Sequence, residues 1–210
     1  MMRQGFFITL EGGEGVGKST HLAFLKEYFA SKNLPVYVTR EPGGSRLGEA
    51  LRQVLLSNEL GPIMPDAELL LMFAARIEHV RTVILPALAK GVSVISDRYV
   101  DASYAYQGGG RGIDFSRIAM VEAWSHLLTP HLTFLLDAPL EVTQARITER
   151  GRTLDRIEQE KVEFFERVQK AYHKRAQKDP KRIKLIDASR SIPEIQEQLV
   201  HFLEKQYGTV

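Results

Sequence analysis

Cysteine is absent from the 210-residue chain, so nothing in the fold can depend on disulfides, and a reducing cytoplasm is the expected location. A long apolar run is missing as well. The N-terminal run, residues 6–10, meets Glu11 and glycines at once, which is unlike a secretory signal peptide. No stretch approaches the roughly 20 apolar residues that a membrane-spanning helix needs. We therefore expect no membrane association.

An excess of one charge sign is also missing. The chain has 28 lysines and arginines against 26 acidic residues, a net charge of +2, and the basic residues are spread out. This distribution argues against a dedicated nucleic-acid binder. Internal repeats and low-complexity segments are absent too. The length instead suggests one domain, residues 1–210, and a hydrophobic fraction of 44% is enough for a sizeable core.

A phosphate-binding loop is the most informative stretch that is present. Residues 12–19 fit the pattern G-x-x-x-x-G-K-[ST], between a short apolar run that can be a strand and a stretch with helical spacing. Backbone N–H groups of this loop and the helix N-terminus can bind phosphate oxygens, and the alternative is a glycine-rich turn. We expect Lys18 to reach the β- and γ-phosphates and Ser19 to offer its hydroxyl to Mg²⁺. The predicted nucleotide-binding residues are Gly12, Gly13, Glu14, Gly15, Val16, Gly17, Lys18, Ser19 and Thr20.

Strand candidates alternate with helical stretches along the whole chain. Such alternation predicts a parallel sheet with helices on both faces, a three-layer α/β fold of the P-loop NTPase type. Ligands then bind beyond the carboxyl ends of the strands. This rule singles out residues 40–44, 97–99, Asp137 and Asp187. The five strand candidates are 6–10, 36–39, 92–96, 132–136 and 183–186.

A helix is predicted from about residue 66 to residue 90, with Pro86 able to kink its end. Phe73 and Arg76 are three residues apart in it, so their side chains are neighbours on one face. An aromatic ring beside a fixed arginine suits a planar base. The alternative is a core phenylalanine with an arginine that is paired with a carboxylate, for which the candidates are Glu49, Glu68 and Glu78.

Asp97 and Arg98 follow the third strand candidate directly. An acid at this position can hold Mg²⁺, and the planar guanidinium suits the oxygens of an acceptor phosphate. A structural ion pair is the alternative. The hydroxyls and the amide in residues 103–107 precede a glycine run that we expect to be a mobile loop, and together they could line a substrate pocket.

Four arginines lie around Gly151 between two helical stretches. This pattern is typical of a lid whose arginines stabilise charge on a moving phosphoryl group, and a solvated charged turn is the alternative. The predicted lid extends over about residues 146–157, and its arginines are Arg146, Arg150, Arg152 and Arg156.

The order of the motifs resembles bacterial thymidylate kinases, which are P-loop nucleoside monophosphate kinases. The resemblance covers residues 6 to about 203. It rests on the phosphate loop, on REPGG at 40–44, FAAR at 73–76, DRY at 97–99, YQGGG at 106–110 and LDRIE at 154–158.

The resemblance implies an enzyme that transfers the γ-phosphoryl group from ATP, with Mg²⁺, to thymidine monophosphate (dTMP), giving ADP and dTDP. It implies that Phe73 stacks on thymine, that Arg76 bonds the base edge, and that Arg98 and Arg40 hold the acceptor phosphate. Metal-holding residues would be Ser19 and Asp97. Glu11 would orient the sugar or the magnesium shell, while the deoxynucleoside pocket would be lined by Ser103, Tyr106 and Gln107.

The family has two layouts for its catalytic arginine, one in the phosphate loop and one in the lid. This phosphate loop contains no arginine, so the chain resembles the lid layout, with Arg150 and Arg152 acting beside Lys18 and Arg98. Family members are usually homodimers, and the apolar faces near 66–84 and 115–128 are the candidates for that contact.

Three other functions are weighed against this one. Another small-molecule or nucleoside monophosphate kinase on the same scaffold is the nearest. A GTPase would usually show the signature Asn-Lys-x-Asp, which the sequence lacks. A non-catalytic nucleotide-binding module would leave the lid arginines and Arg98 without a task.

Overall fold

A parallel β-sheet forms the centre of the chain. The computed structural model describes residues 5–149, 151 and 153–208. Within this described part, five strands form one sheet in the order β2-β3-β1-β4-β5, and every neighbouring pair is parallel. The sequence-based prediction of this sheet is confirmed, with β3 beside β1. The strands are β1 (Phe7–Glu11), β2 (Val36–Arg40), β3 (Ser93–Asp97), β4 (Leu132–Asp137) and β5 (Ile183–Asp187).

Helices connect the strands and cover both faces of the sheet. Several begin at side-chain caps: Ser45 accepts the N–H of Gly48 ahead of α2, and Ser191 with Glu194 forms a capping box ahead of α9. The helices are α1 (Lys18–Ser31), α2 (Arg46–Leu56), α3 (Pro65–His79), α4 (Leu85–Ala89), α5 (Val100–Ser103), α6 (Phe115–Ser125), α7 (Leu140–Glu149), α8 (Val162–Lys178) and α9 (Ile192–Tyr207).

Two predicted helix limits need correction. The helix expected from residue 66 to 90 is interrupted by π-helical turns at Val80–Ile84, just ahead of Pro86, which has no N–H to donate and crowds the preceding turn. The amphipathic pattern of residues 158–178 predicts a second long helix from Glu158, but this helix begins at Val162. Its predicted first turn is separate because Asp155 accepts the backbone N–H groups of Ile157 and Glu158.

The glycine run after Ser103 is not the mobile loop that we expected. Helix α5 continues into π-helical turns, Tyr104–Gly110, that are largely buried against α6 and α8. A Cβ atom on Gly109 would lie 2.6 Å from both the Cβ of Ala171 and the carbonyl oxygen of Arg167. Glycine is therefore present here because α8 approaches the backbone closely, and not because the segment moves.

Alternating strand residues build the two cores. Ile8 faces the cluster that contains Leu25 of α1 and Leu199 of α9, whereas Phe7 faces the cluster that contains Phe73 of α3 and Ile118 of α6. The layers of helix, sheet and helix follow from this alternation. No helix in the described part of the chain combines the length and the hydropathy that a membrane span needs.

Replacing Gly109 with alanine should destabilise the fold. The added methyl group has to displace Ala171 or the backbone of α8, and overpacking of this kind costs about 1–3 kcal/mol. Urea unfolding would measure the free energy of unfolding. Ala23→Ser on the exposed face of α1 is the control and should change it by less than about 0.5 kcal/mol. Equal stability of Gly109→Ala and the wild type would contradict the close packing described above.

Candidate active site

The phosphate loop connects β1 to α1. Gly12, Gly15 and Gly17 have positive φ angles of 134°, 75° and 89°, which side-chain-bearing residues rarely adopt. Gly17 precedes α1, and no side chain caps this helix, so its first N–H groups are available to an anion. The Nζ atom of Lys18 donates to the carbonyl oxygens of Gly13 at 2.8 Å and Gly12 at 3.3 Å. Burial and then the charge of Arg98 lower the pKa of Lys18.

A cleft of about 250 Å³ opens at the carboxyl end of the sheet, above β1, β2 and β3. It joins the phosphate loop to the segments that follow β2 and β3, and most of the residues predicted for the site line it. Those residues are Glu14, Gly15, Gly17, Lys18, Ser19, Arg40, Arg76, Asp97, Arg98, Ser103, Tyr106 and Gln107.

Asp97 and Ser19 both line the cleft, and both side chains carry oxygen atoms. The Oδ1 atom of Asp97 is buried and has no hydrogen-bond partner among the described residues. A buried, unpaired carboxylate oxygen is costly unless a cation or a donor reaches it. These two side chains therefore fit a hard cation such as Mg²⁺, which takes one or two protein oxygens and completes its shell with phosphate and water.

Arg98 has a left-handed backbone with a φ of 69°, which is uncommon for a residue of this size. Its guanidinium donates to the carbonyl oxygen of Gly12 at 2.9 Å and to the carboxylate of Glu14, and it lies 4.7 Å from the ring centre of Tyr106. The Tyr106 hydroxyl also donates to Glu14, at 3.2 Å. The Glu14 side chain thus connects the phosphate loop to the wall that follows β3, although the sequence predicted only a nucleotide-binding role for it.

Arg76 is paired with a carboxylate, as one of the two alternatives predicted, and it also has a place in the cleft wall. It lines the cleft, and it also donates to Glu41 at 2.5 Å, to the Ser103 hydroxyl at 2.9 Å and to the carbonyl oxygen of Tyr99 at 2.9 Å. The partner is Glu41, and none of the three carboxylates named as candidates. These bonds use three of the five N–H groups of a guanidinium, so two remain.

Glu41 itself is held from below by a buried histidine. The Nδ1 atom of His79 lies 3.0 Å from Glu41, and its Nε2 atom lies 2.8 Å from the Thr39 hydroxyl. Gly44 closes over this pair so tightly that a Cβ atom there would collide with both His79 and Thr39. These contacts hold the loop at residues 40–44 in place.

The predicted contact of Phe73 with a base disagrees with its position. Its ring is only 1% exposed and belongs to the core cluster of Phe7 and Ile118, and it does not line the cleft. Met72 lines the cleft instead. Along a helix, a residue four positions away is rotated slightly to one side, and a residue three positions away is rotated somewhat more to the other side. Met72 and Arg76 therefore both face the cleft, whereas Phe73 faces the core.

Glu11 does not reach the cleft either, in disagreement with its predicted contact with sugar or magnesium. It is completely buried and accepts the backbone N–H of Tyr99 at 2.7 Å and the hydroxyl of Tyr172 at 2.8 Å. Burial, and next the nearby Asp101, raises the pKa of Glu11 to about 7. This carboxylate therefore supports the turn after β3 from behind.

Gln107 lines the cleft, and its side chain is held by a residue that lies outside the cleft. Its Nε2 atom donates to Glu68 at 2.9 Å, and Glu68 also accepts hydrogen bonds from Arg111 and Arg156. Burial raises the pKa of Glu68, but the hydrogen bonds from Gln107 and Arg111 and the charge of Arg111 outweigh burial, and the net shift is downward. Glu68 is therefore ionised at neutral pH.

Two of the four arginines of the predicted lid, Arg146 and Arg156, are among the described residues. Arg150 and Arg152 lie outside the described residues. Arg146 donates to the carbonyl oxygen of Ala188 at 3.1 Å, beside the end of β5. Arg156 is held by Glu68 and by the carbonyl oxygen of Leu55, so it anchors the C-terminal end of the predicted lid.

Sequence reasoning missed several residues of the cleft wall, among them Arg52, Met72 and the supporting Glu41. Arg52 of α2 lines the cleft and donates to the carbonyl oxygen of Pro42 at 2.9 Å. Burial and the neighbouring Arg40 lower its pKa. Its spacing was the available signal, because Arg52 lies three residues after Glu49 on the first helix behind the 40–44 loop.

Known proteins share this fold and these motifs. The family model described as "Thymidylate kinase" matches residues 10–199. A thymidylate kinase of Ruthia magnifica subsp. Calyptogena magnifica is 50% identical over 204 residues, which are 97% of this chain and 99% of that protein. One of Bordetella pertussis is 52% identical over 200 residues, covering 95% of this chain and 94% of that protein.

A solved structure gives the same result in three dimensions. The crystal structure of thymidylate kinase from Ehrlichia chaffeensis superimposes with a TM-score of 0.78 at 31% identity, covering 96% of this chain and 99% of that one. The family model matches most of the chain, and relatives are about half identical over almost their full length, so the family is established. The chain belongs to the thymidylate kinase family.

Proposed function

We propose that the chain transfers the γ-phosphoryl group of ATP to dTMP within the described cleft, giving ADP and dTDP for DNA synthesis. One observation supports this most strongly. A single cavity contains the phosphate-loop groups Lys18 and Ser19, the unpaired oxygen of Asp97, and the recognition groups Arg98 and Gln107. A donor nucleotide and an acceptor monophosphate can therefore meet there without a covalent intermediate on the protein.

The donor side uses main-chain and cationic groups. The N–H groups at the start of α1 and the ammonium of Lys18 bind the β- and γ-phosphates. Ser19 and Asp97 would hold Mg²⁺, which would neutralise charge on the phosphate oxygens. Arg150 and Arg152, in the predicted lid at about 146–157, remain the predicted source of further positive charge near the transferred group.

The acceptor side uses Arg98 and Arg52 for the phosphate, with Arg40 at the more exposed rim. Arg98 is already held by Glu14 and Gly12, so its planar fork is oriented before a ligand arrives. Tyr106 and Ser103 border the sugar. The acceptor phosphate needs no strong general base, because a phosphate monoester is largely ionised near neutral pH.

Met72, Arg76 and Gln107 recognise the base. Met72 supplies the apolar contact that was first predicted for Phe73, since its polarisable thioether packs well on an aromatic ring. Arg76 has two N–H groups left for a carbonyl oxygen of the base. These roles suit a pyrimidine.

We further propose that residues 1–210 form one kinase domain that works in the cytoplasm as a homodimer. Leu70 of α3 and Met120 and Trp124 of α6 are 59%, 65% and 75% exposed. The ion pair between Asp66 and Arg117, at 3.1 Å, joins the same two helices, so these apolar side chains lie on neighbouring stripes. A second copy of the chain would cover them.

The reaction itself can be tested by ADP release with ATP, Mg²⁺ and a panel of monophosphates. We expect turnover with dTMP and much less with the cytidine, adenosine and guanosine monophosphates. Lys18→Ala should lower kcat by about 100-fold or more, because it removes a preorganised charge from the transferred group. Circular dichroism should show an intact fold. Turnover with an unrelated acceptor and none with dTMP would contradict the proposal.

The base contact can be tested by truncating neighbouring residues of α3. Met72→Ala should raise the KM for dTMP by about 10-fold and leave the KM for ATP unchanged, because a lost apolar contact costs about 1–3 kcal/mol. Leu71→Ala, at a half-buried position outside the cleft lining, is the matched control. Phe73→Ala should instead lower the free energy of unfolding by about 3–5 kcal/mol. A specific loss of dTMP affinity in Phe73→Ala alone would restore the stacking prediction.

The homodimer can be tested by sedimentation. We expect the wild type to sediment as a dimer at micromolar concentration and Met120→Asp to sediment as a folded monomer, because a charge in an apolar contact between copies is costly. Val162→Asp changes an exposed apolar residue on α8 and should leave the dimer intact. A monomeric wild type would exclude the proposed assembly.

A further inference from the structure

We propose that Glu68, which does not line the cleft, decides which pyrimidine the enzyme accepts by fixing the orientation of the Gln107 side-chain amide. The inference rests on the proposed function, since it concerns the base of the acceptor nucleotide. It assigns a specificity role to a carboxylate that would otherwise be read as part of a structural ion cluster.

The carboxylate of Glu68 accepts hydrogen bonds from four donor groups, which fix the orientation of their side chains. Glu68 is completely buried. Its Oε1 atom accepts from the Nε2 of Gln107 at 2.9 Å and from the Nε of Arg111 at 3.2 Å. Its Oε2 atom accepts from the Nη2 of Arg156 at 2.6 Å and from the Nη2 of Arg111 at 3.2 Å. Both oxygens are therefore occupied by donors from three side chains.

An ionised carboxylate can only accept hydrogen bonds. The two arginines keep Glu68 ionised, so the group that Gln107 turns toward it has to be the NH₂ of the amide. The amide carbonyl oxygen is then the group that remains for the cleft, which Gln107 lines. The carboxylate thus settles an orientation that an isolated glutamine would leave open.

The resulting arrangement matches one pyrimidine edge and opposes another. Arg76 presents N–H donors to the cleft and Gln107 presents a carbonyl acceptor. Thymine and uracil carry a carbonyl oxygen beside an N3–H donor, which complements this pair. Cytosine carries an amino group beside a bare N3, so it would place donor against donor and acceptor against acceptor. Unpaired buried groups of this kind are strongly rejected.

Replacing Glu68 with glutamine should reverse the Gln107 amide. The Nη2 groups of Arg156 and Arg111 can only donate, so they will claim the single oxygen of the new amide, and the weaker bond from the Nε of Arg111 is lost. Its NH₂ group then faces Gln107, which has to turn its own oxygen away from the cleft to accept it. The NH₂ of Gln107 would point into the cleft, where it suits N3 of cytosine and opposes N3–H of thymine.

The experiment compares kcat/KM for dTMP, dUMP and dCMP in the wild type and in Glu68→Gln. We expect the preference for dTMP over dCMP to fall by about 10-fold or more, because one donor–acceptor match is exchanged for a mismatch. The preference for dTMP over dUMP should stay within about 2-fold, since both bases carry N3–H. If dCMP reacts too slowly to be measured, its inhibition constant against dTMP turnover is measured instead.

Glu160→Gln is the matched control. Glu160 pairs with the same Arg111 but does not contact Gln107, so this variant disturbs the ion cluster and leaves the amide bond intact. Its base preferences should equal those of the wild type. An unchanged dTMP-to-dCMP preference in Glu68→Gln, or the same change in Glu160→Gln, would overturn the inference. A wild type that does not phosphorylate dTMP would instead overturn the proposed function.

A second pair of variants covers a loss of folding. If Glu68→Gln melts below the assay temperature, Glu68→Gln/Arg111→Gln removes one charge of each sign and still replaces the carboxylate that faces Gln107. Its control is Glu160→Gln/Arg111→Gln, which has the same charge change. The selectivity change should appear in the first double variant only, and its absence there would overturn the inference as well.

Discussion

The side-by-side parallel pairing of β1 and β3 is the constraint on which the site depends. Leu10 is in register with Asp97, so the phosphate loop and the Asp97–Arg98 turn leave the sheet at the same level. The backbone N–H of Arg98 donates to the carbonyl oxygen of Leu10 at 2.8 Å, which extends this pairing beyond the last strand residue. Donor and acceptor groups thus face each other across one strand spacing, about 5 Å, before any side chain is placed.

The sequence was sufficient for the parts of the fold that depend on short-range pattern. Apolar runs followed by polar turns located every strand of the described sheet to within a residue, and the phosphate loop stood between its strand and helix as expected. Arg98 was identified because it directly follows strand β3, and Ser103 and Gln107 because they carry polar groups just ahead of the glycine run. Their placement on the cleft wall agrees with the rule that ligands bind beyond the carboxyl ends of parallel strands.

Side-chain direction and long-range partners were not accessible in the same way. The helical pattern placed Phe73 and Arg76 on neighbouring positions, but only the packing of α3 shows that Met72 is the one facing the cleft. Glu41 could not be recognised as the partner of Arg76, because the two are 35 residues apart and meet only after β2 and α3 pack together. The glycines near residue 109 led us to predict a mobile loop, whereas they are needed because α8 packs closely against the backbone there.

The buried chain of Thr39, His79 and Glu41 has a mechanical consequence for the catalytic cycle. Buried hydrogen bonds in this chain join the segment after β2 to α3, and Gly44 packs closely against His79 and Thr39. The acceptor side of the cleft is therefore held in place by contacts within the protein itself. A nucleotide that binds there meets groups that are already positioned, so little conformational entropy is lost in placing them.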